Sequence, residues 1–122
     1  MRYLVRPGDL APYSPANHTG TRNFRLIGPE TVGASQVEVV IGEIERGKGA
    51  LPHAHPGIEQ VCYLLEGQAH VKVGEQEFDM RVGDTCFFPA DVMHKFTVTS
   101  ERVRVMVIYA PPYLDKGARL AP

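Results

Sequence analysis

The sequence predicts an all-β domain, a sandwich or barrel of short strands, and three observations carry that prediction. Short runs rich in Val, Ile, Phe and Tyr recur between turn signals along the whole chain. Nowhere do apolar residues repeat at helical spacing over more than about ten residues without a Gly or Pro cutting in. Finally, 12 glycines and 10 prolines in 122 residues weigh against helix, since both residue types break it.

Taken in order, strands are expected at residues 3–5, 22–27, 36–45, 58–65, 69–73, 76–82, 85–88, 94–99 and 103–109. Gly74-Glu75 sits between two of them with Gly at the first central position, as a type II′ hairpin turn prefers. Gly67, Gly83-Asp84 and Ser100-Glu101 mark further reversals. The segment 90–110 lacks Gly and Pro and resembles a helix in length, but its β-branched content and alternation read as two strands. In the first of these His94, Phe96 and Val98 share one face, opposite Lys95, Thr97 and Thr99, so His94 is expected to point inward. In the second, Val103, Val105 and Val107 alternate with Arg102 and Arg104. The expected organisation is one domain: an N-terminal arm at 1–20, a barrel at 21–110 and a C-terminal tail at 111–122.

Composition narrows function. Thirteen basic against fourteen acidic residues leave a net charge of −1, which offers no broad attraction for nucleic acid or anionic lipid. No run approaches the length of a signal sequence's apolar core or a membrane span, so the expected location is the cytoplasm. Cys62 and Cys86 lie inside apolar runs and read as reduced core residues, Cys62 lining the interior if Gln60 points inward.

The chemistry lies in three histidines. His53 and His55 are two apart, so in extended chain both imidazoles face one point. His94, from the inward face of another strand, offers a third nitrogen, and imidazole suits Zn, Fe, Ni, Mn or Cu. Glu59 or Gln60 offers an oxygen close by; neighbouring strand residues face opposite ways, so only one of the two points at a shared ion without a bulge. Phe96 shares the His94 face and is expected to line the cavity. His70 is expected on the surface and His18 in solvent, while Tyr63, Tyr109, Arg25 and Glu59 stand unranked as acid or base candidates.

These motifs resemble the cupins. Gly47, five residues, His53, Ala54, His55, four residues, Gln60, six residues and Gly67 match the first cupin motif, with Gln where Glu is usual. Gly83, five residues, Pro89, Ala90, Asp91, two residues and His94 match the second, with Asp91 in place of Gly and Val98 in place of Asn. The resemblance covers residues 47–98, under half the chain. It implies an antiparallel jelly-roll (double-stranded β-helix) barrel holding one divalent transition metal, Zn, Mn, Fe or Ni, through His53, His55, His94 and an oxygen ligand, Gln60 favoured by spacing and Glu59 the alternative. A neutral Gln leaves the ion's full charge at the site, which tilts the expectation toward Lewis-acid work on a small oxygen-rich acid or sugar. A non-haem metal dioxygenase and a non-catalytic ligand- or metal-binding module are the alternatives. Expected partners are a small-molecule ligand and a second copy of the chain in a homodimer, without nucleic acid or membrane.

Overall fold

The computed structural model describes residues 2–16 and 18–114. A 3-10 turn at Pro7–Asp9 leads to β1 (His18–Ile27), a short helix α1 (Pro29–Val32), β2 (Glu38–Ala50), β3 (Glu59–Glu66), β4 (Ala69–Val73), β5 (Gln76–Met80), β6 (Thr85–Phe88), β7 (His94–Val98) and β8 (Arg102–Ala110). All pairings are antiparallel, in a five-stranded sheet ordered β1-β2-β8-β3-β6 and a three-stranded sheet ordered β5-β4-β7. The two sheets close over a core of Leu64, Val71, Met80, Phe88, Val98, Val103 and Val105. This is the jelly-roll arrangement. No helix among the described residues is long and apolar enough to cross a membrane.

Alternation explains the packing. On β3 the inward residues Gln60, Cys62 and Leu64 are buried while Glu59, Tyr63 and Glu66 are exposed. Gly74 turns β4 into β5 at φ +55, the conformation the hairpin requires. Gly67 is fixed by both conformation and space: its φ is +87, and a Cβ there would collide with the Arg102 carbonyl and the Ser100 hydroxyl.

Three strand expectations are corrected. Residues 3–5 form no strand; Tyr3 is 80% exposed, and without a partner its backbone groups bond more readily to water. β1 begins at His18 rather than 22, and β2 runs on through Gly47 and Gly49 to Ala50, because the two strands pair out to His18 opposite Ala50. A register shift between Thr19 and Thr21 absorbs the irregularity, and ladder bonding there outweighs the poor strand preference of glycine. Helix α1 lies between the strands expected at 22–27 and 36–45; Pro29 starts it with a preset φ and Gly33 ends it at φ +75.

Candidate metal centre

His53 and His94 form an isolated antiparallel bridge, with His94 N–H donating to the His53 carbonyl (2.8 Å) and His53 N–H to that of His94 (3.1 Å). Their rings are thereby set side by side, 4.5 Å between centroids. His55, two residues on, brings its ring to 4.8 Å from His53 and 5.2 Å from His94. One nitrogen from each of the three lies within 4.8 Å of the others. Asp91 fixes the loop that carries His55: its N–H donates to the His55 carbonyl at 3.2 Å, and its carboxylate accepts from Gly57 N–H at 3.3 Å. It does so at φ +67, the left-handed conformation that glycine takes without strain and Asp tolerates better than most residues.

Electrostatics keep the His94 ring neutral and free to act as a nitrogen donor. Burial, then the neighbouring His53 and His55, push the His94 pKa down to about 4, so its imidazole is neutral near pH 7. The ring of Phe88 stacks on it at 4.0 Å. His53 Nδ1 lies 2.8 Å from the Leu51 carbonyl; as a donor there, it leaves the Nε2 lone pair for a ligand.

Gln60 is 7% exposed and faces the interior, whereas Glu59 is exposed on the opposite face. The Gln60 Nε2 donates to Cys62 Sγ at 3.3 Å, while its Oε1 is buried with no hydrogen-bond partner among the described residues. Such an atom costs about 1–3 kcal/mol unless something supplies a bond. The three imidazoles therefore suit a divalent transition ion by spacing and by chemistry, and the unsatisfied amide oxygen of Gln60 suits one by chemistry.

The imidazoles open on a cavity of about 420 Å³. Phe96 and Cys62 line it, as do Ile44, Val105, Val107, Tyr109 and Tyr113. Among the described residues that line it there is no Asp, Glu, Lys or Arg. Burial pushes the Tyr109 phenol well above its ordinary pKa, so it stays a hydrogen-bond donor. Cys62 pairs directly across from Cys86, and that thiol contact together with burial raises the Cys62 pKa.

His18 departs from expectation. It is half-buried in the cavity wall, its ring 6.2 Å from that of His53 and Nδ1 3.4 Å from the Thr21 hydroxyl. The signal that finds it is the earlier start of β1. Of the unranked acid–base candidates, Tyr63 and Glu59 are exposed, and Arg25 is tied to Glu30 and Glu38; Tyr109 alone lines the cavity. Tyr113 lies in the stretch read as tail. His70 is on the surface as expected, between Asp79 (2.8 Å) and Glu77 (3.1 Å).

Two antiparallel sheets closed around an inward cluster of imidazoles define a small β-barrel with a candidate metal centre. The sequence matches the cupin domain over residues 40–109, and the chain belongs to the cupin family. It is similar to the polyketide synthase CurC of Streptomyces cyaneus, 26% identical over 108 residues, 88% of this chain and 70% of that one. It is also similar to quercetin 2,3-dioxygenase of Bacillus subtilis, 26% identical over 93 residues, 76% of this chain and 28% of that one. Across CurC and three further relatives the chain spans 55 to 70% of the relative's length. Among solved structures, KdgF from Halomonas sp. superposes with a TM-score of 0.80 at 16% identity, covering 93% of this chain and 97% of that one. The polyketide cyclase RemF from Streptomyces resistomycificus gives 0.78 at 20% identity, covering 100% and 87%. At such identities the structures show a shared fold.

Proposed function

We propose that this cupin holds one divalent transition ion through His53, His55, His94 and Gln60 and acts as an enzyme on a carbonyl- or phenol-bearing small molecule. Held by these four neutral donors, such an ion would supply Lewis acidity with its charge undiminished. The observation that carries the reading is the cavity itself: imidazoles at one side, walls that combine apolar and aromatic side chains with the uncharged polar Thr21 and Asn23, and no ionic side chain among its described lining. The apolar and aromatic part of the lining suits a substrate with an aromatic or otherwise apolar body and an oxygen to present to the ion. Likeness to CurC and RemF supports that choice. Tyr109, protonated and lining the cavity, would donate a hydrogen bond to a substrate oxygen.

Metal analysis of the purified protein beside a His53→Ala, His94→Ala double variant tests the site. About one equivalent in the first and none in the second is expected; equal content in both overturns it. A dioxygenase is the second reading, favoured by the likeness to quercetin 2,3-dioxygenase. Oxygen uptake matching the turnover of phenolic substrates would establish it, and turnover without uptake would favour the Lewis-acid reading. Turnover of neither kind would point to a binding module.

A homodimer is part of the same proposal. On the outer face of the five-stranded sheet Val39, Ile108, Val61 and Phe87 lie opposite one another in a continuous row, with Phe87 48% exposed. Light scattering should give twice the chain mass, falling to one chain in Phe87→Asp; a monomeric wild type rejects the dimer.

A further inference from the structure

Glu38 opens β2 with a carboxylate only 1% exposed. A charge so far from water persists only where donors surround it. Arg25 Nε donates to one oxygen. The other accepts the backbone N–H groups of Tyr113 (2.9 Å) and Leu114 (3.0 Å). Successive N–H groups converge on one atom where the chain curls, and Leu114 sits at φ +58, a conformation its side chain disfavours. Arg25 is itself braced, stacking over the Tyr13 ring at 4.5 Å and bonding Glu30 at 2.7 Å. The result is that the chain beyond β8 turns back onto the barrel, and the Tyr113 ring lies 4.5 Å from that of His55 and 5.2 Å from that of Tyr109 in the cavity wall.

We propose that Glu38 is a positioning residue and Tyr113 a specificity-determining one: the buried carboxylate holds the Tyr113 ring against His55, and that ring limits how wide a planar ligand can reach the imidazole cluster. This rests on reading the cavity as a ligand site. A single-ring ligand passes beside Tyr113, whereas a fused-ring ligand has to displace it and break the two bonds to Glu38.

The chain contains no tryptophan, so Tyr113→Trp installs a single fluorescent reporter of the segment's position. Adding Glu38→Gln should make that tryptophan severalfold more quenchable by acrylamide; equal quenching overturns the latch whether or not metal binds. Ligand width is read separately on cobalt-loaded protein, by titrating the visible absorption with azide, catechol and 2,3-dihydroxynaphthalene. In Tyr113→Ala the affinity for 2,3-dihydroxynaphthalene relative to catechol should rise about tenfold, with azide affinity unchanged. Tyr113→Phe, which keeps the ring, should keep the wild-type ratio. Ratios unchanged in Tyr113→Ala overturn the specificity role. Should Glu38→Gln fail to fold, Tyr113→Ala, altered in a half-buried segment outside the core, still decides it. If the wild type takes up no cobalt, the metal reading falls and the quenching comparison alone decides the latch.

Discussion

The two ends of the barrel interior are built by the same strands and differ in almost everything else. Along β3, Gln60 and Cys62 line the cavity and Leu64, two residues further, is 0% exposed in dry core. Along β7, His94 and Phe96 face the cavity and Val98 faces the core. β8 repeats the pattern in reverse, from Val103 in the core to Tyr109 in the cavity wall. Alternation decides which side chains point inward, and position along the strand decides whether they pack in the core or face the cavity. One end carries the imidazoles, the Gln60 amide and two tyrosines; the other has almost no polar side chain. Stability and chemistry are thus separated by only two or three residues of the same strand.

That separation can be broken most severely at the imidazoles. His94→Ala should weaken zinc binding, measured by equilibrium dialysis, by more than about 100-fold, beyond what losing an outer-shell partner costs. Wild-type affinity in this variant would mean that the cluster coordinates nothing. At the opposite end, Leu64→Ala should lower stability in urea melts by about 2–5 kcal/mol while the folded fraction keeps its zinc affinity. Val107→Ala, which widens a cavity already present, should cost about half as much or less. Equal losses at the two positions would show that the cavity end is as tightly packed as the core.

Gln60→Met sharpens the contrast in the other direction. Replacing an unsatisfied buried amide by a thioether of similar length should stabilise metal-free protein by about 1 kcal/mol while reducing metal affinity. A destabilised variant would reveal a partner for the Gln60 oxygen.

The smallest effect belongs to His70, outside the barrel. Hydrogen bonds to Asp79 and then Glu77 raise its pKa above the ordinary value of 6.5. The folded chain therefore holds this proton more tightly than the unfolded chain. Its contribution is complete below about pH 6.5 and is lost as pH rises through the raised folded value. Melting curves of wild type and His70→Gln should differ slightly in mild acid and converge in alkali; a gap that grows with pH would reverse the assignment.

Much of this was legible in advance because period-two alternation is a local signal. It placed His94 inward, His70 outward and the β4–β5 turn at Gly74, and motif spacing favoured Gln60 over Glu59 as the inward residue. What escaped depends on partners distant in sequence. His18 joins the cavity wall because β1 pairs with the far end of β2, and Tyr113 does so because Glu38 captures its backbone 75 residues away. Neither segment carries a period of its own. The strand expected at 3–5 failed for the converse reason: its residues suit a strand, and no neighbouring strand pairs with them.

The main-chain bridge between His53 and His94 gives the centre the character of a pincer already shut. Two segments distant in sequence are pinned by the main chain alone, so adding a cation should freeze little further motion and the grip should be set mainly by the donor atoms. Affinity of the purified protein across first-row ions should then climb in the usual Irving–Williams sequence.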